Sequence, residues 1–211
     1  TARRLQARYG DAARVRPGFF EFLSPTLAEA VAGLAAEGSR RIVVMPYFLF
    51  DGKEIQIDLP GELDHLRAAL PGVEIAMAAS LGVAAPIIDL LAERVAGALD
   101  GQAQYPYVAG RLPRRGAGGP LGVVLVNRGS RRQYDDGARL RDLTARLAAR
   151  LGAPVAPAQA ENSEQTVERA AAALHAAGAR RIVVVPYLHH PGKVLFADII
   201  PAIDRAGRTH P

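Results

Sequence analysis

The chain has 211 residues, a formal charge of +5, and 49 % hydrophobic against 22 % charged residues. That balance fits one large or two small folded domains and argues against disorder. With Cys 0, disulfides, Cys-ligated clusters and a Cys nucleophile are excluded within this stretch. A metal would fall to His, Asp or Glu, a donor set suited to cobalt, nickel, iron or zinc.

The periodicity alternates between strand and helix along the chain. Residues 14–23 read as a short strand and residues 26–37 as a helix, with Thr26 at the N-cap and Gly38 beyond the C-terminus. The run IVVMPYF at 42–48 is β-branched and continuous, as in a parallel strand buried on both faces. A helix at 57–70, a strand at 73–79 and a helix at 84–98 follow. Residues 100–120 are rich in Gly and Pro and read as a linker. Beyond it come a strand at 121–126, an Arg-rich helix near 133–151, a strand at 154–160, a helix at 166–177 and the strand IVVVPYL at 182–188.

The two halves repeat. TLAEAVAGLAAEGSRRIVVMPY at 26–47 matches TVERAAAALHAAGARRIVVVPY at 166–187, an offset of 140. Over residues 20–60, 17 of 41 positions are identical. Upstream the offset becomes 142 and pairs Gly10 with Gly152. This pattern predicts an α/β protein of two similar doubly wound parallel-sheet lobes from an internal duplication, at 1–99 and 121–211. A closed barrel of two half-barrels is the alternative, and the long linker favours separate lobes. The first copy lacks an opening strand and the second a closing strand and helix, so about 20 residues are expected before Thr1 and about 25 after Pro211.

Charge is uneven. Through Tyr105 there are 10 basic and 13 acidic residues, net −3; the remainder has 16 and 8, net +8. A basic half can attract an acidic ligand. No Arg/Lys run interleaved with aromatics appears, so no nucleic-acid partner is expected. No apolar run reaches the ~18 residues of a membrane helix and no signal peptide opens the chain, so neither a membrane partner nor export is expected, and the expected location is cytoplasmic.

Ligands of such folds bind beyond the carboxyl ends of the strands. That rim collects Glu21, Glu161, the turn Asn127-Arg128-Gly129-Ser130-Arg131-Arg132, the loops Asp51-Gly52-Lys53-Glu54 and His189-His190-Pro191-Gly192-Lys193, and Ser80-Leu81-Gly82. Asp58 and Asp198 read as N-caps or first-turn acids of the helices that follow.

The string FFEFLSPTLAEA, then GSRRIVVMPYFLFDGKEIQIDLP, then GVEIAMAASLG resembles the sirohydrochlorin cobaltochelatase (CbiX-type) family of type II, ATP-independent chelatases, in two tandem copies. The resemblance implies insertion of cobalt, ferrous iron or nickel into a tetrapyrrole, with the divalent metal as substrate and no permanently bound cofactor. It also implies a site of His, Glu and a second His. The family Glu falls on Glu21 and Glu161. The first His position holds Arg128 in the second copy, and the second holds Glu54 and Val194. The catalytic candidates are therefore Glu21, Glu54 and Glu161, and the metal-ligand candidates Glu21, Glu54, His189 and His190. Lys53, Arg128, Ser130, Arg131 and Lys193 are candidates for holding the ring's carboxylates. Tyr47, Phe48, Phe50 and Tyr187 could line its face. With the His positions substituted, a non-catalytic tetrapyrrole or metal-binding protein is the alternative.

Overall fold

The computed structural model describes residues 1–20, 22–102, 118–129, 136–161 and 163–209. The chain divides into two compact units, Thr1–Tyr47 with Asp51–Ser80, and Phe48–Phe50 with Leu81–Pro211.

In the first unit, α1 (Ala2–Tyr9) is followed by α2 (Leu27–Ala36), β1 (Arg41–Val44), α3 (Leu59–Ala69) and β2 (Glu74–Met77). Thr26 starts α2 through a reciprocal cap: its hydroxyl accepts from the Glu29 N–H at 3.2 Å, and the Glu29 carboxylate accepts from the Thr26 N–H at 2.7 Å. That backbone bond, then the Ser24 hydroxyl, lowers the Glu29 pKa. The carboxylate half of the cap is therefore complete at neutral pH and is lost as pH falls through the folded pKa. Thr26→Ala is expected to lower stability by about 1 kcal/mol. Thr166, which accepts from the Arg169 N–H at 3.3 Å with no acid at that position to answer, should cost less on the same change. Urea midpoints of the two variants check this.

β1 and β2 pair in parallel, with Ile42 opposite Ile75 and Val43 opposite Ala76. Alternation puts Ile42 and Ile75 on one face, each 5 % exposed, and Val43 on the other, 63 % exposed. The predicted strand at 14–23 is absent among the described residues. Only an isolated bridge joins Phe19 to Thr26. Its repeat counterpart in the second unit shows why: that strand is hydrogen-bonded to the strand at 121–127 alone, and the first copy has no counterpart of 121–127 in this sequence.

The second unit holds α4 (Ala85–Leu99), β3 (Leu121–Asn127), α5 (Asp136–Leu151), β4 (Val155–Gln159), α6 (Val167–Ala176), β5 (Arg181–Pro186) and α7 (Ile200–Thr209). Its sheet is parallel with order β4-β3-β5. Val123 to Val126 are fully buried because helices cover both faces. Val124 and Val126 pack with α6 and α7, and Val123 and Leu125 pack with α4 and α5. This is the doubly wound arrangement, and the two separate parallel sheets displace the barrel alternative. α4 follows β2 in the chain, yet Ile88, Leu91, Ala92 and Val95 complete the second unit's core. The compact units therefore do not follow the repeat boundaries at 1–99 and 121–211. Most of the predicted linker, residues 103–117, lies outside the described residues.

Both copies carry a π-helical turn that periodicity does not announce, Glu54–Asp58 before α3 and Val194–Ile199 before α7. Each buries an apolar residue at its second position, Ile55 or Leu195. Among the described residues, no helix is long and apolar enough to cross a membrane.

Candidate functional site

Parallel strands put their carboxyl ends on one edge. In the second unit that edge is built from Arg128 after β3, Glu161 after β4 and the segment Tyr187–His190 after β5. Backbone bonds lock it. The Ala160 N–H donates to Asn127 O at 2.9 Å, the Glu161 N–H to Arg128 O at 2.8 Å and the Tyr187 N–H to Val126 O at 2.7 Å. Gly129 makes the closest approach: its φ is +87°, and a Cβ there would lie 2.3 Å from the Glu161 carbonyl oxygen.

On this edge Arg128 Nε donates to Glu161 Oε2 at 3.3 Å. The guanidinium is 68 % exposed and the carboxylate 32 %. An arginine holds its charge at every working pH. It therefore competes for the Glu161 carboxylate with any metal that would use it. The His189 ring packs edge-on against Phe48, with centroids 6.4 Å apart, while His190 and Lys193 are exposed.

Below them Tyr187 is buried. Its hydroxyl donates to Gly82 O at 2.7 Å and Phe50 meets its ring edge-on at 5.2 Å. Burial pushes the phenol pKa up to about 12 from 10.0. The raised value means that the neutral phenol's contribution to stability is whole below pH 10 and is lost as pH rises toward about 12. Tyr187→Phe is expected to cost about 1 kcal/mol and to remove a tyrosinate signal near 295 nm that grows in toward about pH 12 in an alkaline absorbance titration.

Asn127 is 3 % exposed and its Oδ1 has no hydrogen-bond partner among the described residues. The sequence places it in the rim turn without a role. The signal was there: a polar residue ends an otherwise unbroken apolar strand.

In the first unit the edge carries Ser80 after β2 and the loop Asp51–Glu54. The Ser80 hydroxyl donates to Asp51 Oδ1. Lys53 and Asp58 form an ion pair. Asp58 thus holds a lysine rather than capping α3, for it makes no side-chain cap. Lys53 is neutralised by this partner, whereas no ion pair joins Lys193 to Asp198 or to any other described acid. Glu54 is exposed at the start of its π-helical turn. Glu21, Ser130 and Arg131 lie outside the described residues, as does Arg132. Among the described residues no group of three or more His, Asp and Glu could hold a metal ion.

A family model described as CbiX matches residues 1–98 and 122–211. The chain is 38 % identical over 92 residues to the sirohydrochlorin cobaltochelatase of Methanosarcina acetivorans, covering 40 % of this chain and 71 % of that one. It is 36 % identical over 81 residues to the sirohydrochlorin cobaltochelatase of Sulfurisphaera tokodaii, covering 38 % of this chain and 64 % of that one, so the match spans under two thirds of that relative. Among solved structures it resembles SirB from Bacillus subtilis with Fe3+, at TM-score 0.73 and 17 % identity, over 99 % of this chain and 77 % of that one.

Proposed function

The chain belongs to the CbiX family, and on that footing we propose that it inserts a divalent metal, cobalt or ferrous iron, into sirohydrochlorin or a closely related tetrapyrrole. The observation that carries this reading is the family match over both repeats. The reaction must remove two N–H protons from the macrocycle and deliver a partly desolvated cation, and it needs no nucleotide. A carboxylate near the ring centre can take the protons as general base. Oxygen donors hold a borderline ion loosely enough to release it.

The assignments follow from what is engaged. Glu161 is held by Arg128, so we assign base and ligand work to the first copy, to Glu21 with Glu54. Arg128 and Lys193 are exposed cations on the second unit's rim; with Ser130 and Arg131 they would hold the ring's carboxylates. Lys53, already paired, contributes less. The histidines His189 and His190 are secondary metal ligands in this scheme, and the two duplicated lobes, 1–99 and 121–211, are its evolutionary units. A cytoplasmic setting goes with the reading, as do nickel as a third metal candidate and an ATP-independent reaction.

The test is an absorbance time course with sirohydrochlorin and cobalt(II), against a protein-free control. A faster shift to the metallated spectrum supports a chelatase. A protein-shifted ring spectrum with no gain in rate supports the second reading, a tetrapyrrole-binding protein, which the Arg128–Glu161 pair at a substituted ligand position favours. Within the first reading, Lys193→Ala should raise KM about fivefold at nearly constant kcat, as expected for one exposed charge pair of ~1 kcal/mol.

A further inference from the structure

Each unit carries the same kind of loop at its rim, Asp51-Gly52-Lys53 in the first and Pro191-Gly192-Lys193 in the second, running into a π-helical turn. The glycine is fixed against that turn. Gly52 O accepts from the Ile55 N–H at 3.1 Å and the Gln56 N–H at 3.0 Å, and Gly192 O accepts from the Phe196 N–H at 3.2 Å. Neither glycine has a positive φ, so the backbone conformation does not call for one. The space beside it gives the reason. A Cβ on Gly52 would lie 2.8 Å from Glu54 Oε2, too close for both atoms to stay where they are. A Cβ on Gly192 would meet the His190 ring, 3.7 Å from Nε2 and 3.9 Å from Cδ2. Apart from chain neighbours, no other described residue comes within 4 Å of either position.

The two seats are filled from opposite directions. Glu54 stands two residues after Gly52, and His190 two residues before Gly192. The 140-residue offset pairs Glu54 with Val194. Val194 has turned inward and packs against the apolar cluster of Val124, Val126 and Leu195, whereas Glu54 is exposed. The side of the loop glycine that Val194 leaves unused is met by the His190 ring instead. His189 is not equivalent, because its ring packs edge-on against Phe48.

We propose that Gly52 and Gly192 are positioning residues, each keeping clear the space in which its unit holds one donor for a divalent cation. That donor is the Glu54 carboxylate in the first unit and the His190 imidazole in the second. His190 thereby takes over the donor role that position 194 has lost. These roles rest on the metal-insertion reading above for the identity of the cation. Among the described residues no three acids or histidines gather around one ion, so neither seat is a closed cage. A borderline ion such as cobalt(II), held by so few protein donors, keeps most of its water and exchanges readily, as a metal awaiting transfer must.

The whole chain is titrated with cobalt(II) alone. Paramagnetic broadening is followed at the histidine Cε1–H signals and at the carboxyl carbons of labelled glutamate. Among the histidines His190 should broaden first, ahead of His189, and the Glu54 carboxyl should broaden with it. Gly52→Ala should raise the cobalt(II) concentration that half-broadens Glu54 about tenfold, the loss typical when a ligand's support is removed. Gly192→Ala should leave His190 unmoved, because 3.7 Å is an ordinary contact. Gly192→Val, which fills the seat, should cost His190 about tenfold. Both alanine variants should keep the parent's urea midpoint, which separates a displaced donor from a damaged fold. Broadening of His189 before His190, or of neither donor, overturns the proposal, as does a Gly52→Ala chain whose Glu54 responds like the parent's. The sirohydrochlorin time course judges the insertion reading separately. If insertion is absent while both seats broaden as expected, that reading fails and the seats stand. If insertion proceeds and neither donor broadens, the seats fail alone.

Discussion

Glu21→Ala is expected to slow metal insertion at least about 100-fold, while Glu161→Ala changes it less than about threefold. The two residues occupy the same position of the repeat, so sequence alone assigns them equal roles. Of the two, the structure describes Glu161, and shows it engaged. Glu161 already accepts from Arg128 at 3.3 Å. A carboxylate so engaged is a poorer ligand, because the guanidinium occupies an oxygen that a cation would use. Losing it should matter mainly through Arg128, whose charge is then released to solvent or substrate. In the first copy the second His position holds Glu54, which is exposed. In the scheme proposed above, Glu54 and Glu21 would supply the carboxylates that bind a divalent ion and accept protons. Single-turnover rates with cobalt(II) and sirohydrochlorin measure both variants. Equal losses would place the chemistry in both copies, and an unchanged rate for Glu21→Ala would remove the first copy from it. Arg128→Ala is the matching control: it should loosen ring binding while leaving the single-turnover rate at saturating ring near that of the parent.

The alternation of strand and helix was legible because buried parallel strands leave unbroken β-branched runs, such as 121–126, which the structure shows as β3 with Val123 to Val126 fully buried. Helix starts were legible where the cap is local, as at Thr26 and Thr166. The strand expected at 14–23 failed for a non-local reason. Strand propensity needs a ladder partner, and this sequence offers residues 14–18 none. The destination of α4 was likewise invisible. Its apolar stripe says that a face must be buried, not which sheet buries it. At the rim, the residue types were readable from their place after the strands, but their pairing was not. Nothing in the spacing says that Lys53 is held by Asp58 while Lys193 has no such acid, or that Asn127 keeps an oxygen unpartnered among the described residues. Those outcomes depend on rotamers and on loop paths, not on sequence periodicity.

Gly129→Ala should be the most destabilising single change on the second unit's rim, costing about 3–4 kcal/mol. Two separate penalties meet there. The backbone sits at φ +87°, a region an L side chain enters at a cost of roughly 1–2 kcal/mol. The added methyl would also lie 2.3 Å from the Glu161 carbonyl oxygen, a contact that only a shift of backbone can relieve. That shift strains the bond from the Glu161 N–H to Arg128 O, 2.8 Å long, which closes β3 onto the end of β4. Gly152→Ala isolates the first penalty. Gly152 has φ +62° with nothing within 4 Å of the new methyl, so it should cost only about 1 kcal/mol. Urea unfolding followed by tyrosine near-UV circular dichroism compares them, since buried Tyr187 reports on the second unit. If the two variants lose the same stability, the close approach of Gly129 to Glu161 does not hold the rim. If Gly129→Ala loses the larger amount, Arg128 and Glu161 are held in register by a backbone contact that only glycine permits. Ligand binding should then fall in that variant even where the unit remains folded, because both charged groups are carried on the strand ends that must move apart.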